Sequence, residues 1–300
     1  MKAELESQGT IAIGWSRSLD YLMLMKPELT FLSVLTALAG YSLGSEGTAL
    51  GVGVLHTVAG TALVGGGAGA LNQYLERDYD AQMRRTEQRP IPAGRVSGTE
   101  ALVFGSSLSL IGGVDLLLFV NPLTAFLAVI TLITYLLLYT PLKRITPLST
   151  LVGAIPGALP PVMGWTGARN DIHPGALVLF AILFLWQLPH FHALAWVYRN
   201  DYARAGYRLL AVLDPSGART SVHILVAALL LIPVSALPTA TGETGPVYAL
   251  GAVATGIAFL IPAVRLARGR SNASARFLFV ASLLYLPILM LVMLADRLLA

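Results

Sequence analysis

Apolar stretches too long for an ordinary soluble helix recur along this chain, and they limit its fold more than any other feature. A window of about 19 residues, enough helix to cross the hydrocarbon of a bilayer, marks segments near 28–47, 50–71, 100–119, 122–140, 149–166, 174–198, 220–238, 246–267 and 275–296. Hydrophobic residues make up 55% of the chain and charged residues only 12%, against about a quarter charged in a soluble domain. Mean hydropathy is +0.70, so most apolar surface must face lipid or other helices. The expected fold is an all-α membrane protein of about nine transmembrane helices. These helices form one domain, 28–300, behind an N-terminal segment, 1–27. In the second stretch, Gly65-Gly66-Gly67-Ala68-Gly69-Ala70 would break a helix in water, but in a membrane small residues let helices approach closely. Pro141, Pro147, Pro156, Pro160 and Pro161 interrupt the fourth and fifth stretches and predict kinked helices lining a cavity.

Charge placement sets the orientation. With the amino terminus in the cytoplasm, one side receives 1–27 and the loops 72–99, 141–148, 199–219 and 265–276, and these hold 18 of the 20 Lys and Arg. Arg169 and Arg297 fall opposite. The bias predicts an N-in, C-out protein of the cell (inner) membrane. It also explains a pI near 9.4 without a nucleic-acid partner. Glu4, Glu6 and Asp20 interrupt the first 25 residues, and the apolar run at 11–15 is shorter than a signal-peptide core. The first span is therefore expected to insert the chain. The absence of cysteine excludes thiolate nucleophiles, Cys-ligated zinc, disulfides and covalent haem attachment.

The stretch richest in chemistry, Asn72–Arg95, reads NQYLERDYDAQMRRTEQRPIPAGR and lies directly behind the second apolar segment. If that segment continues as a helix, Asn72, Glu76 and Asp80 fall at i, i+4 and i+8 and share one face. Hard oxygens at a membrane boundary, followed by guanidinium groups, are what is needed to hold Mg²⁺ and a diphosphate together. The plainer alternative is a solvated loop in which Glu76, Asp78 and Asp80 pair with Arg77, Arg84 and Arg85. The helical spacing, the amide of Asn72 inside the apolar boundary and a second acidic loop on the same side favour the functional reading, because polar groups at membrane depth are costly. That second loop, 198–219, reads YRNDYARAGYRLLAVLDPSGAR. Its Asp201 is either a second ligand or a helix cap, and its Arg208 either a phosphate ligand or an inner-leaflet anchor. The two loops lie four helices apart, which hints at a duplicated four-helix unit.

Lys26, just before the first span, and Lys143 and Arg144 in TPLKRITP are either headgroup anchors or a diphosphate clamp. Of five histidines, His56, His173 and His223 lack polar company and read as structural. His190 and His192 stand in FLWQLPHFHALAW, beside Trp186, Gln187 and Pro189. A histidine within a span is an interhelical hydrogen bond or a ligand, and a neutral imidazole is able to meet a haem iron. There is no Ser-His-Asp order, P-loop or Rossmann fingerprint.

The first loop resembles the NxxxDxxxD motif of the UbiA superfamily of intramembrane prenyltransferases, with Glu76 in place of the middle Asp. Further segments resemble its haem-farnesylating branch, the haem O synthases. They are Lys26-Pro27 with TALAGY (36–41), RTEQRPIPAGRV (85–96), TPLKRITPLSTLVGAIPGALPPVMGW (140–165), and LWQLPHFHALA (185–195) with DYARAG (201–206). The resemblance implies a UbiA-type fold, nine helices around a central cavity capped by acidic cytoplasmic loops. It implies that farnesyl diphosphate and haem B give haem O and diphosphate, for haem–copper oxidase assembly or a haem A synthase downstream. Carried over, Asn72, Glu76, Asp80 and Asp201 are the catalytic Mg²⁺ ligands. Lys26, Arg85, Arg89, Lys143 and Arg144 neutralise phosphate, and His190, with Trp186 and Gln187, serves the haem side. The chain departs from the family pattern at Tyr207-Arg208-Leu209-Leu210-Ala211, where Pro-Met-Leu-Pro is usual, and at Ser149, where Asn is common. Two rival functions are another UbiA-type enzyme acting on an aromatic or quinone-precursor acceptor, and a haem transporter or chaperone. The latter predicts binding without diphosphate release.

Overall fold

The computed structural model describes residues 17–45 and 51–299, with side chains through Asp296. Expectations for residues 1–16 and 46–50 lie outside that range. The described residues form helices and their connections, without strands. Nine helices are long: α1 (Pro27–Gly44), α2 (Val52–Asp80), α3 (Gly98–Phe119), α4 (Pro122–Leu142), α5 (Ser149–Arg169), α6 (Pro174–Val197), α7 (Ala218–Ala240), α8 (Pro246–Gly269) and α9 (Asn272–Leu299). Seven of them are long and apolar enough to cross a bilayer alone. α1 qualifies only together with a short helix, Arg17–Leu24, from which it is bent by 52°. α5 has the length but not the apolar content, since prolines and glycines replace larger side chains and most of it is buried against its neighbours. The chain is a multi-pass membrane protein.

Local signals set the helix ends. Ser97 and Glu100 form a reciprocal capping box that starts α3. Asn121 caps the Thr124 amide at the head of α4 and donates to the Thr166 carbonyl (2.7 Å), tying α4 to α5. Within α4 the backbone widens to a π turn over Thr134–Tyr139. Pro141 has no amide, and its ring crowds the carbonyl four residues back. The Thr140 N–H and hydroxyl instead both bond the Tyr135 carbonyl.

The second apolar segment does not end at residue 71. It continues as α2 to Asp80, because its polar residues find buried partners. Gln73, for example, donates to the Met23 and Leu24 carbonyls at 2.9 and 3.2 Å, satisfying the end of the preceding short helix. The expected loop 199–219 likewise contains two short helices, Arg199–Arg204 and Leu210–Leu213.

Small residues bring backbones into contact. A Cβ on Gly164 would lie 1.8 Å from the Ala37 carbonyl oxygen, and one on Gly40 would lie 2.0 Å from that of Pro161, so α1 and α5 touch main chain to main chain. α2 meets α3 similarly through Gly67 and Gly105. The far side of α3 leaves Leu110 and Leu118 68% and 67% exposed, as a lipid-facing surface would. α7, α8 and α9 stack behind α6. Between α1, α2, α4, α5 and α6 lies a cavity of about 310 Å³.

Candidate active site

The face of α2 anticipated from its spacing points into the protein. Asn72, Glu76 and Asp80 are 0%, 6% and 1% exposed in the last three turns of α2. Burial this complete requires partners for each, and each meets a cation, two from distant segments and one from the turn that follows α2. Lys26 Nζ donates to Asn72 Oδ1 at 2.5 Å, while Asn72 Nδ2 donates to Thr140 Oγ1 at 3.0 Å. Lys143 Nζ donates to Glu76 Oε1 at 2.8 Å, and the Tyr207 hydroxyl donates to the same oxygen at 3.0 Å. Arg89 donates to Asp80 Oδ2 at 2.7 Å. Asp80 Oδ1 is buried with no hydrogen-bond partner.

The segment after Asp80 folds back over this row, held by the Thr86 hydroxyl donating to the Asp80 carbonyl at 2.9 Å. Lys26 reaches the site from a left-handed backbone, φ 50°, at the bend before α1. For a non-glycine residue that conformation costs about 1–3 kcal/mol, strain of the kind that gathers at functional sites.

Tyrosines enclose the cations. Tyr135 and Tyr139, four residues apart in the π turn, stack at 5.7 Å, and the Lys143 ammonium lies 4.5 Å from the Tyr139 ring. Burial disfavours the charged form of Lys143, but Glu76 and the surrounding tyrosine oxygens outweigh it and raise its pKa well above the usual lysine value. Burial, and after it the Glu76 charge, also raises the Tyr207 pKa above the usual phenol range. The lysine thus stays charged and the tyrosine stays a donor at neutral pH.

Below the row the cavity turns apolar. On its α6 wall, Trp186 and His190 stack at 5.3 Å and both bond Ser282 of α9. His190 Nδ1 lies 2.8 Å from the Ser282 hydroxyl, and Trp186 Nε1 donates to its carbonyl at 2.8 Å. Gln187 donates to the Leu183 and Ala154 carbonyls at 3.0 and 3.3 Å. All three side chains line the cavity, as do Lys26, Arg85, Arg89 and Lys143.

Other expected site residues stand elsewhere. Neither Asn72 nor Asp201 is on the cavity wall: Asn72 reaches it through Lys26, while the Asp201 carboxylate accepts from Arg204 one turn along its own short helix and from the Arg85 amide at 3.3 Å. Local partners take up its charge, so its place is behind Arg85, whose guanidinium donates to Tyr202. Among the described residues no group of three His, Cys, Asp or Glu converges as a metal cage. Arg144 is exposed, lies over the Tyr79 ring at 4.3 Å and donates to its hydroxyl, so it turns away from the cavity. Arg208 is also exposed, and it joins the site only through its amide, which donates to the Lys143 carbonyl at 2.7 Å. Two supposedly isolated histidines have polar company. His56 Nδ1 lies 2.8 Å from Asp115, and His173 caps α6 at 3.6 Å from Glu243. His223 meets His192 edge-on at 5.5 Å.

The arrangement is a charged, tyrosine-lined mouth over an apolar chamber, suited to a molecule with an anionic head and a hydrocarbon tail. The sequence matches the UbiA prenyltransferase family over residues 33–286. It is 45% identical over 287 residues to a protohaem IX farnesyltransferase of Solibacter usitatus, covering 93% of this chain and 98% of that protein. It is also 45% identical to one of Salinibacter ruber, covering 92% and 98%. A UbiA homologue from Aeropyrum pernix K1 superposes with a TM-score of 0.71 at 20% identity, covering 90% of this chain and 98% of that one. A homologue from Archaeoglobus fulgidus bound to GPP and Mg²⁺ does so with a TM-score of 0.64 at 16% identity, covering 91% and 99%. The buried oxygen row, the all-helical chamber and these likenesses together make the chain a member of the UbiA prenyltransferase family.

Proposed function

We propose that this protein transfers a farnesyl group from farnesyl diphosphate to a vinyl group of haem B, giving haem O and diphosphate. The observation that carries the reading is the row Asn72–Glu76–Asp80, each side chain buried and met by a cation above an apolar chamber. The relatives at 45% identity are named for this reaction.

The row also fits Mg²⁺. Its donors are hard oxygens, and Asp80 Oδ1 is buried without a partner. Asn72, Glu76 and Asp80 would hold the ion, and bound there it would neutralise diphosphate charge. Lys26, Lys143 and Arg89 would exchange their oxygen partners for phosphate oxygens and stabilise the charge that develops as the C1–O bond breaks. The apolar chamber keeps water from the allylic carbon, which bonds to the terminal vinyl carbon of the porphyrin. The resulting cation takes up one water and loses a proton, leaving a hydroxyl. His190, with Nδ1 held by Ser282, would offer Nε2 to the haem side, and Trp186 would supply a flat wall. Asp201 would act as a positioning residue for Arg85. The charge bias of the loops supports a cytoplasmic position for the mouth, in the inner membrane of the cell.

The test is turnover of purified protein in detergent with haem B, farnesyl diphosphate and Mg²⁺, read by pigment mass. A gain of farnesyl plus water that disappears with EDTA is the expected result. Unchanged haem, with prenylation of an aromatic acid instead, would overturn the acceptor and keep the diphosphate site.

A further inference from the structure

The glycine-rich run of α2 serves two purposes, and only one of them is packing. A Cβ built on Gly66 would lie 2.6 Å from the Met25 side chain, one on Gly67 2.7 Å from the Gly105 carbonyl oxygen, and one on Gly69 2.9 Å from the Met25 carbonyl oxygen. Those three glycines are small because a neighbouring helix or bend occupies the space. Gly65 differs: the nearest atom a Cβ would meet is Thr30 Cγ2, at an ordinary 3.5 Å. Its bare backbone is nevertheless part of the cavity wall, between Ala68 and Thr61. One turn deeper, the Thr61 hydroxyl oxygen is buried without a hydrogen-bond partner in a residue that lines the same cavity and is 3% exposed.

From these positions we infer that Gly65 is the gauge that admits the third isoprene unit of the prenyl donor, with Thr61 as the stop beneath it. The inference rests on the diphosphate reading of the Asn72–Glu76–Asp80 row. A tail leaving that row runs down the same face of α2, past Gly69, Ala68 and Gly65. Asn72 is the deepest of the three oxygen groups. At 1.5 Å per residue, Gly65 lies roughly 10 Å and Thr61 roughly 16 Å below it. With carbon–carbon bonds of about 1.5 Å, an extended geranyl chain spans roughly 9 Å, a farnesyl chain roughly 14 Å and a geranylgeranyl chain roughly 19 Å. Geranyl therefore ends above Gly65, farnesyl lays its last unit against it, and geranylgeranyl runs into Thr61.

The test is binding of unreactive geranyl, farnesyl and geranylgeranyl thiolodiphosphates with Mg²⁺, by calorimetry, alongside turnover of the matching diphosphates with haem B. Gly65→Leu is expected to weaken farnesyl binding by about tenfold or more, the scale on which apolar pockets discriminate single carbons, and to leave geranyl binding near the wild-type value. Thr61→Ala is expected to improve geranylgeranyl binding selectively. Should Gly65→Leu fail to fold, Gly65→Ala adds a methyl at ordinary contact distance and is expected to show the same ordering on a smaller scale. Equal weakening of all three lengths, or none, overturns the gauge. Length-graded binding in a protein that never prenylates haem would uphold the gauge and overturn the acceptor.

Discussion

Replacing Lys143 by methionine separates what the mouth of the cavity contributes to folding from what it contributes to chemistry. Lys143 and Glu76 are 2.8 Å apart with side chains 13% and 8% exposed. At an effective dielectric of about 20 their attraction is about 6 kcal/mol, and hydration lost on burial cancels about half of it. Lys143→Met therefore costs about 3 kcal/mol of stability, because Glu76 is left buried with Tyr207 as its remaining donor. In Lys143→Met/Glu76→Gln no charge is stranded, so most of that loss returns. Turnover should behave differently, since both variants lack the ammonium proposed to meet the leaving diphosphate. At about 1.4 kcal/mol per factor of ten, loss of a contact worth about 3 kcal/mol lowers kcat roughly a hundredfold in the single variant, and the double variant, which also loses a proposed Mg²⁺ ligand, falls at least as far. The assays are thermal unfolding in detergent and diphosphate release with haem B and farnesyl diphosphate. A double variant no more stable than the single one would refute the pairing argument, and a single variant within threefold of wild-type turnover would refute the role in chemistry.

Asp80→Asn keeps a group for Arg89 to bond but removes the carboxylate charge; turnover should fall about 10²- to 10³-fold with the unfolding midpoint little changed, and unaltered turnover would remove Asp80 from the site. Ser282→Ala frees His190 Nδ1 while the Trp186 bond to the backbone carbonyl survives. Its loss, about 1 kcal/mol, should raise KM for haem B and leave KM for farnesyl diphosphate unchanged. Asp214 accepts from the Thr220 amide and hydroxyl and from Ser216. Burial disfavours its carboxylate, but these bonds outweigh it and lower its pKa below the ordinary aspartate value. A lowered folded-state pKa contributes stability that is present above the unfolded value and fades as pH falls through the folded one. Asp214→Ala should thus cost about 1 kcal/mol at neutral pH, with the gap to wild type closing under strongly acidic conditions in pH-dependent melting curves.

The helices were legible because lipid demands long apolar runs, and the buried polar face of α2 because Asn72, Glu76 and Asp80 keep the helical period beyond the apolar boundary. α5 shows the limit of hydropathy: its prolines and glycines pack as a helix against α1, where backbone proximity replaces side-chain bulk. Which cation meets which oxygen was not legible, since Lys26–Asn72 and Lys143–Glu76 join residues 46 and 67 positions apart. Tyr135, Tyr139, Tyr207, Thr140 and Ser282 escaped notice because lone hydroxyls in apolar segments form no motif. Two clues were nonetheless present: the four-residue spacing of Tyr135 and Tyr139 ahead of Pro141, and the place of Tyr207 where the chain leaves its family's pattern. Asp201 and Arg144 were expected in the site from the family resemblance and their place on the same side; in the structure Asp201 pairs with Arg204 one turn away and Arg144 lies over the Tyr79 ring.

The pairing of His56 with Asp115 bears on how the protein enters the membrane. Asp115 sits in the last two turns of α3, the helix with the most lipid-facing surface. Inserted alone, a helix with an aspartate at its centre is penalised by about 3 kcal/mol, and by less toward its ends. α2 precedes α3 and carries the matching imidazole. The two helices also close through glycine contacts that need no other segment. α2 and α3 therefore form a natural unit of insertion, a hairpin whose second arm is stabilised by the first, so that the wall bearing the Asn72–Glu76–Asp80 row is assembled before α4, α5 and α6, which complete the enclosure, have been made.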